Sequence, residues 1–288
     1  MITLIAQQIV NGLISGSYYV LLGISWSLIF GTTHVFHFAH GLVYVAAVYA
    51  AVVITANLGL PLAVGFIAAI AVAVGLGCLI ERILYRPLRV VRASMYVIFV
   101  TSLGVLILGQ NIIQLIFGPG PRSIKGFTPT SIFIGGITFT TTHVFMVVVT
   151  VLVTTAFWIY LKRSKMGKAI RGVASNPEEA VVVGIERDRI YLLAFALGSG
   201  VLAFAAIPHN LDLLAVTSMG FEPLFISFVV TFIGGAGNIG GAVGAGILLG
   251  LIEQLILITL PGQWKIVITF VVLMAIIIVR PRGLFAKR

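Results

Sequence analysis

Few side chains in this 288-residue sequence could do chemistry, and their spacing limits what that chemistry would be. His34, His37 and His40 recur every third residue, which on a helix would gather imidazoles on one face for a metal. No cysteine or carboxylate stands near them, so span-end packing and hydrogen bonding fit the triplet better. Ser199 and His209 offer a nucleophile and a base, but no nucleophile elbow or orienting acid accompanies them. Gly167-Lys168-Ala169 lacks the glycine-rich loop and the Ser or Thr of a phosphate-binding P-loop. The chain is therefore not expected to hydrolyse ATP, and without a convergent catalytic set it does not read as an enzyme.

Two further polar groups stand inside apolar runs. A charge at mid-bilayer costs about 2.5–3.5 kcal/mol on insertion scales, so Glu253 must face protein or water, or carry a proton. It either lines a pathway or holds a helix contact, and the second is favoured. Gln110 and Gln114, four residues apart with Asn111 between them, share one helix face. They would form interhelical hydrogen bonds or solvate a zwitterionic solute. The single cysteine, Cys78, excludes a disulfide framework or a cysteine metal site.

The elements that must position these residues are membrane spans. The chain is 60% apolar and only 9% charged, where a soluble domain carries roughly a quarter charged residues. No Lys, Arg, Asp or Glu precedes Glu81. Several apolar runs exceed the ~20 residues that a helix needs to cross a bilayer. They predict spans at 8–30, 35–58, 61–80, 95–117, 143–161, 190–210 and 265–279, with a less regular region over 223–260. The fold class is an all-α polytopic integral membrane protein of about 8–9 transmembrane helices, one of them broken or re-entrant. Residues 1–288 read as a single transmembrane domain. Ile9–Phe30 is too long for a signal-peptide core and lacks a basic flank, so it reads as the first span.

The formal charge of +10 falls at span ends, which marks membrane sidedness rather than a nucleic-acid partner. Glu81–Arg92, Lys162–Arg189 and the tail with Arg280, Arg282, Lys287 and Arg288 form three basic segments. All fall on the cytoplasmic side if the N-terminus is outside and the C-terminus inside. Gly118–Thr142, rich in Gly, Pro, Ser and Thr, then becomes an ordered outer loop with a short hairpin.

Lys162–Arg189 holds seven Lys or Arg and four Asp or Glu, a compact charged segment between two spans. Within it, Asn176-Pro177-Glu178-Glu179 is a helix start, with Asn as N-cap, Pro at the first position and Glu179 placed for a capping-box-like pair. Gly184 is a helix stop, leaving about two turns, roughly 10–12 Å. Ahead of it, Ala169, Ile170, Val173 and Ala174 repeat at helical spacing, with Lys168 and Arg171 on another face. That pattern predicts an amphipathic helix lying on the membrane surface. Such a folded loop could carry a push between spans.

Gly234-Gly235-Ala236-Gly237-Asn238-Ile239-Gly240-Gly241 interrupts the 223–260 region. Irregular backbone at membrane depth survives only where protein buries it or it lines a watery cavity. The region is either two spans or one re-entrant excursion. Its glycines serve tight packing or a broken helix at the pathway. Gly240/Gly244 and Gly246/Gly250 are spaced to let helices approach closely.

Order and spacing of several short motifs resemble the shorter permease type of bacterial branched-chain amino acid ABC importers. Tyr18-Tyr19-Val20-Leu21 and Phe38-Ala39-His40-Gly41 match its first two spans, and Tyr85-Arg86-Pro87-Leu88-Arg89 its first cytoplasmic loop. Ser164-Lys165-Met166-Gly167, Ala169-Ile170-Arg171, Ala180, Gly184-Ile185 and Asp188-Arg189 match its ATPase-contacting loop. Gly234-Gly235, Gly237, Gly241-Ala242 and Pro281-Arg282-Gly283-Leu284 complete the pattern. The resemblance implies a bacterial inner-membrane subunit that pairs with a second, identical or different permease. Two ABC ATPases and an external solute-binding protein complete the importer. No cofactor is expected on this chain, ATP and Mg being held by the ATPases. The coupling residues implied are Gly167, Arg171, Asn176, Pro177, Glu178, Glu179, Ala180, Gly184 and Ile185. His40, Gln110, Gln114, Gly234, Gly235, Gly237, Asn238 and Glu253 are candidates for pathway or packing. His37 stands where the family often has Asn, and Ile226 where many members have Lys. Relatives carry urea, short amides or aromatic acids, so those stand as alternatives to leucine, isoleucine and valine. An ion-coupled secondary carrier would need several buried titratable groups, whereas only Glu253 is offered.

Overall fold

The computed structural model describes residues 2–285, so Lys287 and Arg288 of the basic tail lie outside the described residues. The chain runs α1 (Ile2–Thr33), α2 (His40–Val52), α3 (Leu62–Ile80), α4 (Arg86–Val90), α5 (Met95–Phe117), a hairpin β1 (Ser131–Ile134) and β2 (Ile137–Thr140), and α6 (Thr141–Arg163). Then come α7 (Lys165–Ser175), α8 (Pro177–Val182), α9 (Arg187–Asn210), α10 (Phe221–Gly234), α11 (Ile239–Ile256) and α12 (Lys265–Val279). Among the described residues, eight helical segments are long and apolar enough to cross a membrane, and α10 is a shorter apolar helix. The protein is an all-α polytopic membrane protein.

Contacts define two ends of the bundle. At one end Gln7 of α1 donates to the Thr138 carbonyl of the hairpin (2.8 Å), so the N-terminal end and the hairpin lie together. At the other, Arg86 and Asp188 join the end of the third span to the start of α9 (3.0 Å), beside α7 and α8. We call these the hairpin end and the coupling end. The tail also reaches the coupling end, where Leu284 N donates to the Ile233 carbonyl (2.8 Å).

Helix α1 is the axis of the packing. It touches α11 most extensively, then α9, α10, α6 and α7. The approach to α11 is backbone on backbone: a Cβ at Gly250 would sit 2.6 Å from the Gly12 carbonyl, and one at Gly246 would sit 2.7 Å from Val20 N. In lipid there is no hydrophobic drive between helices, so such close packing supplies the adhesion. Gly240 and Gly244 share the spacing but not the role, since Gly244 receives the Phe285 ring and Gly240 lies near Asn238.

Boundaries of the first three spans differ from the sequence reading, α2 beginning at His40 rather than Val35 because 34–39 form a non-helical turn, and the 223–260 region takes the two-span form of its two alternatives. α1 begins at Ile2 rather than near Gln8, because its apolar N-terminal turns continue the helix. The third span does not end at Glu81. A π-helical turn, Glu81–Tyr85, carries it into α4, with Glu81 (2% exposed) paired to Arg89, so the first basic segment is mostly helix rather than loop. The 223–260 region resolves into two antiparallel helices, α10 and α11, joined by a turn at 235–238 where Gly235 and Gly237 have positive φ.

Gly250→Val is expected to push α1 from α11 and destabilise the detergent-solubilised protein by about 1–3 kcal/mol. Gly75→Ala, with open space around its Cβ, should be neutral or stabilising. Thermal unfolding of the two variants measures the contrast, and equal midpoints would contradict this packing.

Candidate functional site

At the coupling end, α6 stops at Arg163 because Ser164 is extended, and the Ser164 hydroxyl then accepts from Gly167 N (2.8 Å) to start α7. Gly167 is required by proximity: a Cβ there would lie 2.5 Å from the Leu161 carbonyl. The Arg171 guanidinium donates to that same carbonyl and ties α7 to the end of α6. Ile170 and Val173 are buried, so the apolar face of α7 packs on the bundle instead of lying on lipid as the amphipathic pattern suggested. Lys162 belongs to α6, where its ammonium lies over the Trp158 ring.

Asn176 then caps α8, accepting from Glu178 N (3.0 Å) and Glu179 N (3.3 Å), with Pro177 in the first position. Among the described hydrogen bonds the Glu179 side chain does not return to the cap, so the capping-box-like pair is only half made. At six residues, α8 is also shorter than the two turns anticipated. Its end is a Schellman motif: Ile185 N donates to the Ala180 carbonyl and Gly184 N to that of Val181 (both 3.0 Å), with Gly184 at φ +84°. Ala180 is buried underneath. Val181, Val182 and Val183 are exposed, Val182 by 87%. This apolar tip, flanked by Glu178 and Glu179, was missed in the sequence, although three valines in a charged loop are its signal.

Past Gly184, Asp188 opens α9 and meets Arg86, while Arg89 pairs with Glu81 and lies 4.6 Å from the Tyr191 ring centre. α9 is thereby connected to the third span at the coupling end.

A second cluster lies in the core. His37 Nδ1 meets the Tyr85 hydroxyl (2.8 Å), which meets Ser102 Oγ (2.6 Å), and Ser102 accepts from Ala39 N (2.9 Å). His40 Nε2 lies 3.0 Å from Ser25 Oγ. These bonds join α1, the 34–39 turn, the third span and α5, and they leave His37 Nε2 and His40 Nδ1 without partners. The turn is not helical, so His34 is exposed with φ +54° and the three imidazoles do not converge. Among the described residues no group of three His, Cys, Asp or Glu could hold a metal. Ser199 is buried against Gly77, while His209 stacks on Tyr18 (3.8 Å), so those two are also apart.

The remaining candidates are dispersed. Gln110 is half-buried beside Gly220, whose backbone abuts Gly41, but Gln114 is exposed. Gly234 packs on Gly241. Asn238 caps α11 by accepting from Gly241 N (3.1 Å) and donates to the Phe285 carbonyl (2.6 Å). Gly237 and Asn238 share with Arg171 a cavity of about 410 Å³ at the coupling end. Glu253 is fully buried, accepting from the Tyr19 and Thr269 hydroxyls, with Lys265 Nζ at 3.9 Å. Lys265 was read only as the start of a span, and nothing in the local sequence pairs it with an acid on the preceding helix.

The described residues form a polytopic bundle of membrane-capable helices with a capped apolar tip at one end. Residues 8–277 match the family of branched-chain amino acid transport system permease components, and the chain belongs to it. It is 30% identical to the high-affinity branched-chain amino acid transport system permease proteins LivH of Salmonella typhimurium and BraD of Pseudomonas aeruginosa, over 98% of this chain and 95% of theirs. A probable LivH of Methanocaldococcus jannaschii is 26% identical over 96% of this chain and 92% of its own. The solved PsaBC from Streptococcus pneumoniae in complex with Fab covers 97% of this chain and 91% of its own at 15% identity and a TM-score of 0.48, too loose a likeness to support argument. The chain is thus a multi-pass transport subunit of the ABC importer class. It is not an enzyme, and ATP hydrolysis belongs to separate subunits.

Asn176→Ala should release two capped amides and destabilise α8 by about 1 kcal/mol. Hydrogen exchange is expected to rise about fivefold over 178–183 while α1 and α11 stay protected. Unchanged exchange there would show that the cap does not hold α8.

Proposed function

We propose that this chain is one of two permease subunits of an ATP-driven importer for leucine, isoleucine and valine in a bacterial cytoplasmic membrane. The observation that carries the reading is the full-length membership in the branched-chain permease family. The second permease is identical or different, two ABC ATPases bind at the coupling end, and a solute-binding protein docks at the hairpin end. ATP and Mg sit on the ATPases, and this chain binds no cofactor.

Sidedness follows from charge. Among the described residues, Arg122, Lys125 and Lys265 are the Lys or Arg toward the hairpin end, and the rest cluster at the coupling end. The positive-inside tendency then places the hairpin outside and the C-terminus in the cytoplasm. α8 is the coupling element of this reading. Its exposed valines give an ATPase groove an apolar knob, its cap and Schellman stop keep that knob rigid, and Gly167, Arg171, Ala180 and Ile185 seat it.

The test is uptake of labelled leucine by vesicles holding this chain with its partner subunits and binding protein. Val182→Asp is expected to cut ATP-driven uptake at least about tenfold, an apolar contact of about 1.4 kcal/mol or more being lost. The variant should fold normally, since Val182 touches little of this chain. Uptake that needs no ATPase but collapses with an ionophore would point to a secondary carrier. A preference for urea, short amides or aromatic acids would reassign the solute.

A further inference from the structure

Two cavities at the hairpin end share a wall formed by Glu222 and Lys265. The first, about 290 Å³, is polar, with Tyr18, His209, Asp212 and His143 around it. The second, about 170 Å³, lies between α10, α11 and α12 and is walled by Phe221, Phe225, Ile226 and Ile266. Both charged residues open their helices, Glu222 in the first turn of α10 and Lys265 at the start of α12, so the wall is a charged rim between the two cavities.

Glu253 lines the second cavity only, and it is not equivalent to the two residues of the wall. Glu253 is committed to structure, because one carboxylate oxygen accepts from Tyr19 and the other from Thr269. Lys265 Nζ lies 3.6 Å from Glu222 and 3.9 Å from Glu253, within ion-pair range but beyond a hydrogen bond. Its ammonium also lies 5.7 Å from the Tyr19 ring centre and is about a third exposed, so it stands open to the cavity rather than locked to either acid. Glu222 is 59% exposed on its side chain and holds only this loose pairing, which leaves its oxygens able to accept.

We propose that this bipartite pocket is a binding site for a zwitterionic amino acid with an aliphatic side chain. The solute carboxylate meets the Lys265 ammonium, its own ammonium meets Glu222, and its side chain enters the cavity of Phe221, Phe225, Ile226 and Ile266. The inference rests on the function proposed above and adds where the solute is held. It also separates solutes: urea brings no charge to offset the wall, and an aromatic acid without an ammonium sets its carboxylate against Glu222. Phe221 and Ile266 are more than half exposed, so the apolar half opens on the flank of the bundle. In the assembled importer the second permease subunit would close it.

The test uses the reconstituted importer with its ATPases and binding protein, measuring leucine and valine uptake and basal ATPase activity. Ile266→Trp narrows the apolar half, and co-purification of the second permease subunit with the variant checks that the interface is intact. It should lower leucine uptake more than valine uptake, shifting the ratio by about tenfold, the scale at which one methylene is discriminated. Glu222→Gln should lower both about tenfold and leave their ratio unchanged, because both solutes share the ammonium. Basal ATPase activity should survive in each. If the wild type takes up leucine and valine but neither variant changes rate or ratio, the site is wrong and the function stands. If the wild type takes up neither, both readings fall.

Discussion

Backbone contact between α1 and α11 is the constraint on which the structure depends. Gly12 and Gly16 on one helix meet Gly246 and Gly250 on the other so closely that a single Cβ would separate them. Adhesion inside a membrane needs this intimacy, because lipid chains solvate Leu and Val as well as another helix does. With α1 fixed against α11, its other faces receive α9, α10 and α6, and the remaining spans attach around that centre. The burial pattern agrees: α1 and α9 are largely enclosed, whereas α5 and α12 present most of their surface to lipid or to another subunit.

Polar groups in such a bundle must be satisfied internally, and two solutions occur. The His37–Tyr85–Ser102 chain crosses three elements and holds the 34–39 turn deep in the protein. The Glu81–Arg89 pair lets the third span continue as helix past its first charge. Removing either partner of that pair would leave a buried charge alone, a far larger cost than the pair's net contribution. These networks explain why charged and imidazole side chains occur where an apolar residue would insert more cheaply.

Much of the fold was legible because its signals are local. An apolar run of span length has one reading, and Asn176-Pro177 with Gly184 specifies a short capped helix within nine residues. What escaped depends on contacts between distant segments. Gly240/Gly244 and Gly246/Gly250 carry the same spacing, but only the second pair faces α1, and the sequence does not name a partner. α7 has the periodicity of a helix on a membrane surface. It lies against protein because Gly167, on the same face as Ile170 and Ala174, lets it close on Leu161. The partnership of Lys265 with Glu222 and Glu253 joins three helices, so no window of sequence contains it.

The route by which a push at α8 would reach the core follows from what α8 touches. Its neighbours are α7 and α9. α7 is held to α6 through Arg171 and the Leu161 carbonyl and also packs on α1, so it is anchored to the axis of the bundle. α9 is a helix of 24 residues, about 36 Å long at 1.5 Å per residue, with Pro208 near its far end, attached to α8 by the short segment after Gly184. It packs on α1 more extensively than α7 does and is tied to the third span by Arg86 and Asp188, so under the proposed coupling a displacement of α8 reaches the axis of the bundle through both helices. Gly198 lies against Ile29 and the Ser25 carbonyl, Ser199 faces Gly77, and Phe195 packs against His37 and Tyr85, so α9 is closely seated along its length. At the far end Asn210 donates to Tyr44, which bonds to Tyr18, and His209 stacks on Tyr18. Both Tyr18 and His209 line the polar cavity at the hairpin end, so the far end of α9 forms part of its wall.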